Sequence, residues 1–328
     1  MDDTTLKIQN PNQPTVKQHF VPKFYLNNFA NENNKVEILD CKNRRILSPK
    51  STSAICYSKY FYAVETGRHD EISQYIEDAF QQMEDNISTK IQYLIDTLGG
   101  TSKVEDDDKW LVALLMSMLW LRNPRLREQI NVMNESMYKQ MNEMLFHTPF
   151  KDKFFDNFDN HTGNKTSPEF REEFVEMMKS GNYDLKFNNA AHLQLLDTIP
   201  NFANLLWGQS WRVYINNTEI PFLTSDNPLV ETNPDEPKTF WGFDFMSRIH
   251  YFSLSPRICI VATRLIKGSA KTIKRKTLYQ YKDSDKDTVL FLNLKISGHS
   301  NGFAYSKRIN SFNEILKYLT NKRSLKNS

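Results

Sequence analysis

The fold of this chain is decided near its beginning by one stretch, QHFVPKFYLNNF, which occupies residues 18–29. It places a glutamine and a histidine directly before several large apolar side chains, beside a proline that fixes the backbone. An exposed arm does not need so many apolar groups, and a core strand does not need Gln-His in front of them. We therefore predict that the segment is buried along one side and presents His19 to a pocket on the other.

Length and composition indicate a globular chain with a sizeable core. Its 328 residues suffice for one large domain or two average ones. An aromatic fraction of 12% excludes disorder over most of the length. Ten glycines argue against a glycine-rich phosphate-binding architecture, and a net charge of +3 is too small to imply nucleic-acid binding by itself.

The cysteines and the apolar runs predict a soluble cytoplasmic protein. Cys41, Cys56 and Cys259 are scattered and odd in number, which suits a reducing compartment without disulfides or a cysteine-based zinc site. The first residues have no signal-peptide pattern. The longest apolar run, residues 110–121, is shorter than the roughly 20 residues that a membrane helix needs.

Strand patterns occur towards both ends of the chain. We predict a short hairpin from residues 36–39 and 45–47, then a tyrosine-rich strand within residues 55–64 that runs back across the opening stretch. Residues 211–215 and 221–224 are predicted to pair as a second hairpin, and residues 250–254 and 257–263 as a third. Residues 302–305 are predicted to form a last strand.

Helical periodicity dominates the middle of the chain. Apolar residues recur at spacings of three and four from residue 72 to 94, before Gly99-Gly100. Residues 110–121 are apolar nearly all round, which predicts a central buried helix that Asn123-Pro124 ends. Further helices are predicted to residue 146 and at 169–179, 190–206 (interrupted at Pro200), 285–296 and 312–319.

These patterns predict an α+β fold, in which a central helical bundle with a buried helix packs against antiparallel β segments drawn from both ends of the chain. Residues 1–16 are expected to be a flexible arm, 17–321 a single domain and 322–328 a basic tail. Residues 147–167 are polar and aromatic without a clear period, and we interpret them as an insertion or a lid.

His19 is the first candidate for chemistry, because imidazole has the unperturbed pKa nearest neutrality and suits general acid–base work. A histidine that only hydrogen-bonds inside the fold would give the same pattern. A second candidate is the polar turn TSDNP at residues 224–228, which leaves a strand where polar groups can enter a pocket. Ser, Asp and Asn also favour such a turn for purely local reasons.

Arg122, Glu77 and Glu84 complete the set of candidate catalytic residues. A guanidinium at the end of an apolar helix could clamp a phosphate or carboxylate, or it could pair with Glu84 as a structural bridge. Glu77 and Glu84 project from one side of their helix and could bind a divalent cation together with Asp226. No strong metal or nucleotide signature is present in the sequence, and no cofactor is identified.

A basic interval at residues 267–282 is the best feature for nucleic-acid contact. Lys271, Lys274, Arg275 and Lys276 lie in it, with two tyrosines available for stacking. A solvated loop would have the same composition.

The assembled motifs resemble the bacterial domain-of-unknown-function family 4238. The resemblance rests on the opening stretch, on Leu-Arg-Asn-Pro-Arg at residues 121–125 and on Phe-Leu-Thr-Ser-Asp-Asn-Pro at residues 222–228, with Leu-Ser-Pro at 254–256 following in order. It spans roughly residues 17 to 310 and implies a cytoplasmic microbial protein with polar residues at His19, Glu77, Arg122 and Asp226. The family's biochemistry does not name a substrate.

The leading hypothesis is a hydrolase of a phosphodiester or nucleotide, in a microbial defence or toxin setting that the family's distribution suggests. His19 would move protons, Arg122 would hold negative charge, and Asp226 with Glu77 or Glu84 would orient His19 or bind a metal. The predicted substrate-binding residues are Gln18, Tyr25, Tyr62, Thr224, Ser225 and Asn227. The alternative is a non-catalytic module that binds nucleic acid or protein, in which the same polar residues shape the fold. The sequence does not give an oligomeric state.

Overall fold

A computed structural model describes residues 16–62, 64–65, 72–73, 75–100, 105–185, 187, 190–232, 248–263 and 279–324 of the chain. The chain divides into two compact units, one formed by residues 1–124 with 193–328 and the other by residues 125–192. Most of the expected arm and the end of the expected basic tail fall outside the described residues. The domain boundaries given above therefore stay a prediction.

The strands found among the described residues all belong to the first unit. In chain order they are β1 (Lys17–His19), β2 (Lys35–Asp40), β3 (Arg45–Ser51), β4 (Tyr57–Lys59), β5 (Val64–Glu65), β6 (Ile72–Ser73), β7 (Ser210–Asn216), β8 (Thr224–Ser225), β9 (Leu229–Thr232), β10 (Ile249–Ser255), β11 (Ile258–Thr263), β12 (Tyr279–Ser284) and β13 (Phe303–Ser306).

The helices fill the middle and the end of the chain. They are α1 (Lys23–Asn27), α2 (Tyr75–Gly99), α3 (Asp106–Leu121), α4 (Pro124–Phe146), α5 (Phe150–Thr162), α6 (Pro168–Ser180), α7 (Ala190–Leu196), α8 (Ile199–Trp207), α9 (Lys286–Gly298) and α10 (Asn310–Ser324), with a short 3-10 helix at Thr52–Ala54. The mixed α+β class with antiparallel sheets is confirmed.

The opening stretch forms β1 and α1, and Pro22 separates them. Pro22 is the N-cap of α1, with a φ of −57° and a non-helical ψ of 141°, and its carbonyl accepts the first hydrogen bond of the helix from Leu26 N–H at 3.1 Å. Tyr25, Leu26 and Phe29 are fully buried, which confirms that one side of the stretch faces the core. The ring of Tyr25 stacks on Phe252 of β10 at 5.6 Å between ring centroids.

Two sheets join distant parts of the sequence. The four-stranded sheet has the order β3-β2-β13-β8, so that strands from both ends of the chain pair antiparallel, as predicted. The five-stranded sheet has the order β12-β7-β11-β10-β9. Its β10–β11 hairpin confirms the pattern at residues 250–263, and β12 runs parallel to β7.

The predicted hairpin between residues 211–215 and 221–224 is wrong. Strand β7 has β11 on one edge and β12 on the other, so neither edge is open to residues 221–224. Pro221 has no N–H to donate to a ladder. The N–H groups of Phe222 and Leu223 donate instead to Pro256 O and to the Asn293 side chain.

The tyrosine-rich strand is shorter than predicted. Residues 57–59 form β4 and pair antiparallel with β1, as expected of a strand that runs back across the opening stretch. Tyr60 has a φ of +52°, and the chain turns through Phe61 and Tyr62 instead of continuing as a strand. The following helix begins at Tyr75, after the two short strands β5 and β6 have paired.

Helix α3 is the buried helix that the sequence predicted. Nine of its sixteen residues are buried, and it packs against α8 and α2 within the first unit. Because its surroundings are apolar, a polar group on it must find a partner, and Ser117 does so by donating to Ile199 O at 2.7 Å.

The second unit is held together by phenylalanines from α4, α5 and α6. Phe146, Phe154, Phe155 and Phe174 form edge-to-face, tilted and stacked pairs with centroids 5.2–6.3 Å apart. Residues 147–167, in which we recognised no period, contain helix α5. Phe150, Phe154, Phe155 and Phe158 recur at helical spacing, a signal that is easily overlooked among the lysines and aspartates between them.

Candidate functional site

A cluster of polar side chains surrounds the end of α3, and we call it the Arg122 centre. Its members, all predicted as site residues, are Gln18, His19, Tyr62, Glu77, Glu84 and Arg122.

Arg122 lies at the core of the Arg122 centre and is 1% exposed. It follows the last residue of α3, and its guanidinium donates through three nitrogens: Nε to the Tyr62 hydroxyl at 2.5 Å, Nη1 to Glu84 Oε1 at 2.5 Å and Nη2 to the backbone oxygen of His19. The guanidinium also lies 4.2 Å from the centroid of the Phe80 ring. Arg122 therefore fastens β1, α2 and the turn after β4 to the end of α3.

The electrostatic balance keeps Arg122 charged. Burial on its own lowers the pKa of Arg122, but Tyr62 and Glu84 raise it by more, so the net shift is upward. Burial raises the pKa of Tyr62 to about 12, even though Arg122 acts in the opposite direction. The Arg122–Glu84 pair is thus a buried ion pair with a neutral phenol beside it.

His19 keeps a neutral ring in this environment. Burial lowers its pKa to about 4, and the nearby charges of Lys23 and Arg122 contribute in the same direction, whereas hydrogen bonding to the backbone of Ser53 and Thr52 acts against the shift. Its Nε2 atom is buried and has no hydrogen-bond partner among the described residues. The ring is therefore an uncharged hydrogen-bonding group at neutral pH.

The pKa of Glu77 is shifted in the opposite direction, upwards. Burial and the neighbouring Glu84 raise its pKa to about 7, although Arg122 pulls it down. Its Oε2 atom is buried, and no partner for it is found in the part of the chain that the structure describes. Near neutral pH this carboxyl group therefore exists in both protonation states.

Gln18 completes the buried side of the Arg122 centre. Its Oε1 accepts from the backbone N–H of Tyr62 at 2.6 Å, which fixes the orientation of the amide. The Nε2 group that points the other way is fully buried, again with no partner within the described ranges. The Arg122 centre thus leaves three buried polar atoms unmatched, on Gln18, His19 and Glu77.

Asp226 lies in a different environment. Its Oδ1 accepts from the N–H of Asn301 at 2.7 Å and its Oδ2 from the N–H of Phe303 at 3.0 Å. Burial raises its pKa to about 6, against the effect of these backbone hydrogen bonds. No hydrogen bond or ion pair between described residues joins Asp226 to His19 or Arg122, so the predicted role of orienting His19 has no contact to support it.

The other residues of the polar turn are also engaged within the fold. Ser225 Oγ donates to Asn227 O at 2.8 Å and accepts from its N–H at 3.1 Å, as in a local serine turn. The Tyr25 hydroxyl donates to Ser253 O at 2.6 Å and therefore accepts from Thr224 at 2.8 Å. These side chains stabilise the junction between the two larger sheets.

An amide network connects the two regions, and the sequence analysis missed it. Asn123, directly after Arg122, donates to Asn227 Oδ1 at 2.5 Å and accepts from Asn301 Nδ2 at 3.0 Å. We interpreted Asn123 only as part of a helix break. Its place beside Arg122 and before a proline was the one available signal.

Lys23 is the second residue that the sequence analysis missed. It is the exposed first residue of α1, and its charge lowers the pKa of both His19 and Glu77. No ion pair of Lys23 occurs among the described residues. Its position four residues after His19, beyond a proline, could have suggested a cation next to the imidazole.

The structure describes the residues of the predicted metal site but not those of the predicted basic contact region. Within the described ranges no group of three or more His, Cys, Asp or Glu side chains is arranged to hold a metal ion. Glu77, Glu84 and Asp226 consequently form no such set. Lys271, Lys274, Arg275 and Lys276 lie outside the described residues.

The fold and the Arg122 centre define an α+β protein with a buried polar cluster at the end of a central helix. The family model described as "Protein of unknown function (DUF4238)" matches residues 17–311, and the chain belongs to this family. Neither a curated protein nor a solved structure matches the chain significantly. In the described part of the chain, every helix is too short or too polar to cross a membrane.

Proposed function

We propose that this chain is a hydrolase of a phosphodiester or a nucleotide, with Glu77 as its proton-transfer group. One observation carries the proposal: a half-buried carboxyl group with an unmatched oxygen has its pKa raised to about 7. A general acid or base is most effective when its pKa lies near the working pH. Glu77 meets that condition better than His19, to which the sequence analysis gave this role.

His19 then serves as a neutral hydrogen-bonding group. With a pKa near 4 its imidazole does not take up a proton at neutral pH. Its unmatched Nε2, together with the Gln18 amide, can hold the attacking water or a polar atom of the substrate. Both groups are rigidly placed, because Arg122 binds the backbone of His19 and Tyr62 binds Gln18.

An anionic substrate is supported by Lys23. Arg122, the anion clamp of the original hypothesis, has its donors engaged with protein groups and is 1% exposed. Lys23 is exposed, and its charge lowers the pKa of both His19 and Glu77. An ammonium group at this position can contact a phosphate as a point charge. We place the activity in a reducing cytoplasm, which the three free cysteines support.

The test is hydrolysis of bis(p-nitrophenyl) phosphate and a panel of nucleotides by the purified chain. Removing a general acid or base costs about 10²–10⁴-fold in rate, so Glu77→Gln should lower kcat by at least about 100-fold. Lys23→Gln should mainly raise KM. Asp85→Asn, at an exposed position of the same helix α2, is the matched control and should retain wild-type turnover.

Two results would overturn the proposal. One is a wild-type chain without activity on any of these esters, and the other is a Glu77→Gln variant that keeps its kcat. Melting temperatures of all variants, measured in parallel, separate a lost catalytic group from a lost fold.

A non-catalytic binding module is the second candidate, and a specific observation favours it. Arg122 and Asp226, two of the five predicted catalytic residues, have their polar groups matched inside the protein, as in a structural network. Under this proposal His19→Ala and Asp226→Ala lower the melting temperature by many degrees. Charge reversal of Lys274, Arg275 and Lys276 abolishes a salt-sensitive retention on nucleic acid.

A further inference from the structure

Helix α4 carries an exposed row of methionines on one side, which we call the methionine face. Met133, Met137, Met141 and Met144 are each between 48% and 71% exposed. Their spacings of four, four and three place them on one stripe of the helix. Single exposed apolar residues are ordinary, but four on one stripe of one helix form a contiguous apolar surface.

The spacing of this row continues a heptad pattern. Leu126, Ile130, Met133, Met137 and Met144 fall on the a and d positions of successive heptads, with Gln140 at the remaining position. Alternating steps of three and four are the pattern of a helix that packs lengthwise against another helix. Leu126 is buried and Ile130 half-buried, so the free part of the seam runs from Met133 to Met144.

In the described part of the second unit, the ring contacts and the hydrogen bond that link α4 to its neighbours come from positions outside the methionine face. Tyr138 meets Phe187 at 5.7 Å, Asn142 donates to Tyr183 at 2.9 Å, and Phe146 enters the phenylalanine core. Tyr138 and Asn142 lie about 100–140° around the helix from the centre of the methionine face, at 100° per residue. A second helix can therefore approach α4 without disturbing these contacts.

The charges around the methionine face suit a second copy of the same surface. One border is formed by Gln129, Ser136 and Glu143 and the other by Asn134 and Met141, so Glu143 is the one charged residue beside the free part of the seam. A surface that pairs with itself must not bring like charges together. Glu135 is already paired with Lys139 at 2.9 Å.

Antiparallel pairing keeps this one acid away from apolar side chains. When Met133 of one copy lies opposite Met144 of the other, equivalent borders of the two helices meet, so Glu143 lies closest to the uncharged Ser136. A parallel arrangement would instead set the border of Glu143 against the border of Met141. A basic partner surface is not required by any residue of the methionine face.

We propose that the methionine face joins two copies of this chain through an antiparallel pair of α4 helices. Exposed thioether side chains adapt their shape to each other, which suits a surface made mainly of methionine. The polar Gln140 within the seam weakens the pair and fixes its register, as a polar residue in a heptad core does. The resulting dimer is a reversible one.

Sedimentation velocity of the full chain from about 1 to 100 µM tests the proposal. The wild type should move from 38.6 kDa towards twice that mass as concentration rises. The double substitution Met137→Glu with Met144→Glu should stay at 38.6 kDa at every concentration. Tyr93→Glu, at an equally exposed apolar side chain on α2, is the matched control and should dimerise as the wild type does.

Gln140→Leu provides a second measurement that a folding defect cannot imitate. Removing the polar residue from the seam should lower the dimer dissociation constant by at least tenfold. The proposal is overturned if the wild type stays monomeric, if the double glutamate variant still dimerises, or if Gln140→Leu leaves the dissociation constant unchanged. A wild type that stays monomeric but binds a helix of another protein through α4 also overturns it.

Discussion

At the scale of single residues, the same buried surroundings shift Glu77 and His19 in opposite directions. Desolvation disfavours whichever form is charged, so it raises the pKa of a carboxyl group and lowers that of an imidazole. Here it brings Glu77 to about 7 and His19 to about 4. Near neutral pH His19 is therefore predominantly uncharged and Glu77 is partly uncharged, whereas the neighbouring Arg122 stays charged.

The pKa of Glu77 predicts how stability depends on pH. Because its folded pKa of about 7 exceeds the ordinary value of 4.5, the folded state binds more protons between these values, and stability falls as pH rises through that window. The Glu77→Gln variant has no titrating group at this position, so it does not lose stability in this window. Relative to the wild type, it should gain about 1–2 kcal/mol of unfolding free energy between pH 5 and pH 8, after allowance for solvent screening.

His19→Gln serves as the contrast of opposite sign in the same urea titrations. The lowered pKa of His19 means that the wild type loses stability as pH falls from 6.5 through 4. The variant lacks that loss, so its stability relative to the wild type should rise towards acid pH. Two variants with the same pH trend would contradict the assignment of either shift.

Arg122 predicts a large effect of a single substitution. Arg122→Met removes three donated hydrogen bonds and leaves the Glu84 carboxylate, whose side chain is 17% exposed, without its partner. Breaking a buried ion pair from one side costs about 3–5 kcal/mol of unfolding free energy. Arg308→Met, at an exposed position, should cost less than about 0.5 kcal/mol in the same urea experiment.

Adding Glu84→Gln to Arg122→Met distinguishes the cause. If the unpaired carboxylate produces most of the loss, the double variant should be more stable than Arg122→Met alone. An Arg122→Met variant within about 1 kcal/mol of the wild type would refute the structural role of the guanidinium.

At the scale of elements, the segment before β8 shows how a side chain can replace a strand partner. Residues 221–223 have no place on the edge of β7, so Asn293 of α9 supplies the partner of Pro221 and Leu223. The buried Asn293 accepts from Leu223 N–H and donates to Pro221 O, both at 3.1 Å. This clamp sets the start of β8 and, through it, the polar turn that contains Asp226.

Asn293→Leu tests that clamp. Leucine fills a similar volume but leaves the buried Leu223 N–H without an acceptor, which costs about 1–3 kcal/mol. Pro221 O keeps the Ser311 hydroxyl as a donor at 2.9 Å, so no larger loss is expected. Chemical denaturation provides the measurement, with the exposed Asn313→Leu on α10 as the control. Equal losses in the two variants would show that the clamp contributes nothing.

At the scale of the whole molecule, the two units differ in how much they bury. Helix α3 of the first unit buries nine residues, whereas none of the residues of α6 in the second unit is buried. Segments with few buried apolar contacts open locally at low free energy. The second unit should therefore be the less protected part of the chain.

Hydrogen exchange tests this difference. Amide protons of α6 should exchange at least about 100-fold faster than those of α3, relative to their intrinsic rates. Mass spectrometry of peptic peptides resolves the two helices. Equal protection would mean that the two units open together.

The sequence by itself determined the class of fold and most elements. The buried helix α3 could be predicted because a run with an apolar residue at nearly every position fits only a helix inside a core. The β10–β11 hairpin could be predicted because alternating apolar residues and a Ser-Pro turn are local signals. The sequence also selected the residues of the Arg122 centre, since His19, Glu77, Glu84 and Arg122 are polar groups at the borders of apolar segments.

Only the tertiary structure decided the partners of those polar groups. Some of these hydrogen bonds join residues more than about 70 positions apart, such as Asn293 with Leu223. The bonds of Asp226 with Asn301 and Phe303 are of the same kind, and no local pattern encodes such pairs. Burial likewise depends on what folds over a side chain, so the opposite pKa shifts of His19 and Glu77 could not be predicted from the sequence. Local periodicity fixes elements, whereas desolvation and pairing act across space.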